Sequence, residues 1–143
     1  MIGIIVTGHG NFASGISSAV KLVAGSQENY EIVDFLETDS GDMLRQRLTK
    51  AVERLDNCED ILVFSDLIGG SPFKIAVEIS LECSKNIHVI AGTNVGMILE
   101  QVMLRNDEDS VEALVEKALE TGKNQVIHFS LPNAEPYEDE DMI

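Results

Sequence analysis

Four short, β-branched apolar runs punctuate the chain, and each is followed by a stretch whose apolar residues repeat with a helical period. The runs are residues 2–7 (IGIIVT), 30–36 (YEIVDFL), 61–65 (ILVFS) and 86–91 (NIHVIA). The first, nearly all apolar, reads as a strand covered on both faces. After the first, Phe12, Ile16, Ala19, Val20 and Val23 mark one face of a helix that ends at Gly25. After the second, Leu44, Leu48, Ala51, Val52 and Leu55 form an apolar stripe opposite Arg45, Arg47 and Glu53. Ser71-Pro72 predicts a third helix to about Cys83, with Ser71 at the N-cap and Pro72 at the first helical position. Residues 95–104 and 110–121 predict two more helices, with Met97, Ile98 and Met103 as core and Gly122 closing the second. Residues 125–129 read as a last short strand. Strands alternating with helices imply a doubly wound α/β domain with a mainly parallel sheet. Right-handed crossovers make the strand order 2-1-3-4 the expected one.

The 143 residues suit one domain, taken as 1–131, followed by an acidic tail at 132–143 expected to be loose. The formal net charge of −15 argues against nucleic acid and anionic membrane as partners, since both require surplus cations. No apolar run approaches a membrane span, and the start lacks the basic segment of a signal peptide. Cys58 and Cys83 have no CxxC or His-rich companion and read as reduced thiols. The expected location is therefore the cytoplasm.

Ligands of open α/β sheets bind off the carboxyl ends of strands, where the strand order reverses. In the order 2-1-3-4 that point lies between the first and third strands. The first runs out into Thr7-Gly8-His9-Gly10, the third into Ser65-Asp66-Leu67-Ile68-Gly69-Gly70-Ser71-Pro72. His9 and Asp66 are thus predicted to meet in one crevice. A carboxylate bonded to one ring nitrogen fixes the tautomer and raises the basicity of the other. Gly69, Gly70 and Ser71 lead into a helix N-terminus, whose free N–H groups favour an anion. An oriented imidazole facing an anion cradle suits a phosphorylated histidine.

Each element alone also has a structural reading: a loop histidine, a turn-capping aspartate, an ordinary helix entry. His88 and His128 read as packing residues. Two other functions compete for the same residues. Gly8-His9-Gly10-Asn11-Phe12-Ala13, with Asp34 near the end of the second strand, matches a dinucleotide fingerprint, although the chain is short for that fold and an imidazole would crowd the pyrophosphate. A hydrolase triad of Ser71 or Ser65 with His9 and Asp66 lacks the G-x-S-x-G elbow. No cluster suggests a metal site, and no cofactor is expected.

The segments IIVTGHGNFASG, VFSDLIGGSPF and VIAGTNVGMILE resemble the IIA component of the bacterial phosphoenolpyruvate:sugar phosphotransferase system, mannose-type family, from about Ile2 to Phe129. The resemblance implies a doubly wound α/β phosphocarrier. It would accept a phosphoryl group from phospho-HPr on His9, with Asp66 as carboxylate partner and Ser71 contacting phosphate. The group would pass to a IIB component, and so indirectly to sugar entering through membrane IIC and IID subunits. An apolar rim of Phe12, Leu67, Ile68 and Phe73 would dock the partners. The resemblance also implies a homodimer in which residues 125–129 exchange as a strand. Gly8 and Ile68 stand where mannose-branch members often carry Thr and Trp, so the sugar is left open. A phosphoryl donor to a dihydroxyacetone kinase and a regulatory phosphohistidine module are the alternatives it leaves.

Overall fold

The computed structural model describes residues 1–108 and 110–131. Four strands, β1 (Gly3–His9), β2 (Tyr30–Phe35), β3 (Asp60–Phe64) and β4 (Asn86–Ile90), form one sheet in the order β2-β1-β3-β4. All three pairings are parallel. The helices are α1 (Phe12–Ala24), α2 (Gly41–Arg54), α3 (Ser71–Glu82), α4 (Val95–Leu104) and α5 (Val111–Asn124). The expected doubly wound topology is therefore present, and the tail falls outside the described residues. Among the described residues, no helix is long and apolar enough to cross a membrane.

Because successive strand side chains point to opposite faces, β1 feeds two cores. Ile4 and Val6 join Leu62, Phe64 and Ile90 under α1, α4 and α5, packing on Met97, Ile98 and Leu114. Ile5 joins Val33, Ile61 and Val63 under α2 and α3, packing on Leu44, Leu48, Leu55, Ala76 and Ile79. With both faces covered, a strand needs continuous apolar character, which explains the sequence of β1.

Several local expectations differ from the structure. α1 buries Ala13, Ser17 and Val20, while Val23 is exposed, because the helix contacts the sheet through its small residues. Gly122 does not end α5; it lies inside the helix, and a Cβ there would fall 2.5 Å from Met97 Sδ. Close packing, rather than a turn, explains that glycine. Met103 is exposed, whereas Met97 and Ile98 are core. Residues 125–129 form no strand: Gln125 caps α5, and Val126, Ile127 and Phe129 are exposed. His128 is exposed rather than packed, and His88 is half-buried with Nε2 3.5 Å from Glu112. Cys58 is buried and Cys83 half-buried, both as free thiols.

Candidate active site

β1 and β3 are neighbours, so the two chain segments leaving their carboxyl ends meet. His9 is the last residue of β1, and Asp66 lies two residues beyond the end of β3. One carboxylate oxygen, Asp66 Oδ2, accepts both the His9 backbone N–H at 2.7 Å and a hydrogen bond from ring Nδ1 at 2.8 Å. The other, Oδ1, accepts the Leu67 N–H at 2.7 Å. Burial alone would raise the Asp66 pKa. The bonds from the His9 amide, the His9 ring and the Leu67 amide, with the imidazole charge, outweigh it and hold the carboxyl below its ordinary value.

Asp66 is itself held from β4. The Gly92 N–H donates to Asp66 O at 2.6 Å, and the Thr93 N–H donates to Ser65 O at 3.2 Å. The AGTN loop thus laces onto the Ser65–Asp66 backbone. Asn94 then caps α4 through the Met97 N–H, and its amide donates to Gly122 O. These residues carry no chemistry of their own but fix the carboxylate, and sequence reasoning did not assign them that role.

The imidazole is 43% exposed in its side chain, against 12% for Asp66. With Nδ1 committed to Asp66, Nε2 is the nitrogen left for chemistry. The ring makes an edge contact with Phe35, centroids 6.0 Å apart and planes at 61°. Gly10, at φ +57°, turns the chain so that its N–H donates to Phe35 O at 2.6 Å. Phe35 was not among the expected site residues. Only the parallel register, in which His9 faces Phe35 across β1 and β2, reveals it.

The start of α3 differs from the expected cap. Gly70 is the N-cap, Ser71 is the first helical residue, and no side chain caps the helix. The Gly70 N–H already donates to Leu67 O at 3.2 Å, so this amide is engaged within its own turn. Pro72 lacks an N–H, which leaves the Ser71 and Phe73 amides as the first-turn donors. Gly69 has φ +79° and supplies the turn. Of the expected rim, Leu67 and Ile68 are well exposed at 63% and 81%, and Leu36 adds a further exposed apolar side chain. Phe12 is half-buried against the α1–α4–α5 core, and Phe73 is also half-buried.

Each of the two competing readings loses a residue. Asp34 accepts the Ser14 N–H at 2.9 Å, placing a carboxylate in the first turn of α1 where a pyrophosphate would have to sit. The Ser65 hydroxyl is buried and donates to Ile90 O at 2.7 Å. Among the described residues, no group of three His, Cys, Asp or Glu side chains could hold a metal ion.

The family model EIIA-man, described as PTS system fructose IIA component, matches residues 3–119. The chain belongs to the EIIA-man family. As a mannose-type IIA component of the sugar phosphotransferase system, it is 33% identical over 125 residues to the mannose-specific EIIAB component of Escherichia coli K12. That alignment covers 87% of this chain but 38% of the longer relative. The sorbose-specific EIIA component of Lacticaseibacillus casei is 30% identical over 112 residues, covering 78% of this chain and 79% of that one. The crystal structure of component EIIA from Streptococcus agalactiae superposes with a TM-score of 0.84 at 35% identity, covering 90% and 97% of the two chains.

Proposed function

We propose that this IIA domain carries a phosphoryl group on Nε2 of His9, receiving it from phospho-HPr and passing it to a cognate IIB component in the cytoplasm. One observation carries the reading: Asp66 holds Nδ1, while Nε2 remains on an exposed ring beside the start of α3. The Nε2 lone pair attacks phosphorus, and the P–N bond of the donor phosphohistidine breaks, its electron pair remaining on the donor nitrogen. With a hydrogen on the second nitrogen of each ring, no net proton transfer is needed. The product ring is cationic, and the ionised Asp66 carboxylate against Nδ1–H stabilises it. The Ser71 and Phe73 amides and the α3 dipole face the phosphoryl oxygens, with the Ser71 hydroxyl as a further donor.

The exposed side chains of Leu67, Ile68 and Leu36 suit docking to a protein partner rather than enclosure of a small substrate. Membrane IIC and IID subunits would be reached only through IIB. A homodimer is supported by two features: among the described residues no strand pairs with the outer edge of β4, and Val126, Ile127, Phe129 and Leu131 are all exposed. Pairing of residues 125–129 with the partner's sheet would cover them.

Incubation with phosphoenolpyruvate, the first enzyme of the system and HPr should yield an acid-labile, base-stable phosphate on the chain. His9→Ala should remove it. Label persisting on His88 or His128 would overturn the assignment.

A further inference from the structure

The adjacent glycines of the Leu67–Ser71 turn are glycine for different reasons. Gly69 has φ +79° and would meet nothing within 4 Å among the described residues if it carried a Cβ, so backbone conformation selects it. Gly70 has φ −72° and ψ 166°, an extended conformation open to any residue. A Cβ on Gly70, however, would lie 2.6 Å from His9 Cε1 and 3.3 Å from Nε2. Contact with the imidazole, rather than chain geometry, excludes a side chain there.

Neither partner can yield cheaply. The ring is tied through Nδ1 to Asp66 Oδ2, the same oxygen that binds the His9 backbone N–H, and it rests on Phe35. Gly70 is tied on both sides: its N–H donates to Leu67 O, and its carbonyl accepts the Lys74 N–H at 2.9 Å in the first turn of α3. An added methyl group must therefore break the His9–Asp66 bond or displace the start of the helix.

Taking His9 as the phosphorylated residue, we propose that Gly70 is a positioning residue for phosphoryl transfer. Its missing side chain lets the imidazole lie against the N-cap of α3, which brings Nε2 to the amides that receive the phosphoryl oxygens. Gly70 then acts by clearance, while its own amide serves the turn.

Gly70→Ala should fold, because the backbone angles suit alanine. Transfer from phospho-HPr should slow by about ten- to a hundredfold, the scale of an ångström-sized misplacement of a reacting group. The HPr concentration at half-maximal rate should change little, since the docking side chains are untouched. The His9 Nδ1–H proton signal, set by the Asp66 bond, should shift or broaden in the variant. Wild-type transfer rates with an unchanged Nδ1–H signal would overturn the proposal. Independently of the variant, the native protein should show a nuclear Overhauser effect between Gly70 Hα and His9 Hε1, and its absence would also overturn it. His9→Ala separates the two claims. Phosphate uptake by that variant would defeat the assignment of the phosphoryl group to His9, whereas an inert His9→Ala beside a fully active Gly70→Ala would defeat the role of Gly70 alone.

Discussion

Two nitrogen-bearing side chains are fixed at opposite ends of β1, and they are satisfied to different degrees. At the amino end, Arg105, just past α4, is buried at 3% exposure. Its guanidinium donates to Ile2 O at 3.1 Å, Asn29 O at 3.0 Å, Glu28 O and the Gln27 side chain. Burial pulls its pKa below the usual value, while Cys58, Tyr30 and Glu28 act in the opposite sense. At the carboxyl end, His9 has one nitrogen committed and the other at the surface. A group whose two terminal nitrogens meet four acceptors stitches loops together, although among the described residues its buried Nε has no partner. A group held on one side and open on the other can react.

Substitution should split the two roles. His9→Ala should abolish phosphate uptake and leave the melting temperature almost unchanged, as measured by labelling and calorimetry. Arg105→Met should do the reverse, destabilising the fold by about 3 kcal/mol because the buried Ile2 carbonyl and the part-buried Glu28 and Asn29 carbonyls lose its hydrogen bonds. Denaturant titration measures that loss, and transfer per folded molecule should persist.

Asp66→Asn tests what holds the imidazole. It should slow transfer by at least about tenfold without eliminating it, the lower end of the effect of removing a carboxylate that orients a histidine. It also bears on acid stability. The folded-state pKa of Asp66 lies below the unfolded value, so its contribution is present above the ordinary carboxylate range and is lost as pH falls through the folded pKa. Asp66→Asn should therefore flatten the stability profile below about pH 4. An unchanged acid limb would remove this part of the account.

The smallest effects separate two serines at helix starts. Ser40 accepts the Met43 N–H at 3.2 Å, so Ser40→Ala should cost about 1 kcal/mol. Ser71 is the first helical residue and makes no cap, so Ser71→Ala should change stability by less than about 0.5 kcal/mol while modestly slowing transfer. Equal destabilisation by the two would restore Ser71 as a cap.

The fold was legible because its signals are periodic and local. The continuous apolar run of β1 identified a strand covered on both faces, and chain-crossover rules left few orders, with the expected one observed. The meeting of His9 and Asp66 followed from that order. What the sequence left hidden depends on contacts between distant segments. Phe35 reaches His9 through a strand register, and Gly92 and Thr93 brace Asp66 from the far side of β3. Ser71-Pro72 carries the local chemistry of a cap, yet the helix is capped one residue earlier by Gly70, which the imidazole requires to be bare. Gly122 likewise has the look of a helix stop, but its lack of a side chain makes room for Met97. In each case tertiary packing overrode a local signal.

The central claim is that Asp66 reserves Nδ1 and leaves Nε2 to carry phosphorus. Phosphorylating the protein with ¹⁵N-labelled histidine and measuring ³¹P–¹⁵N coupling tests it directly. The account predicts coupling to Nε2 of His9, with Nδ1 still protonated toward Asp66. Coupling to Nδ1, or to a nitrogen of His88 or His128, would contradict it.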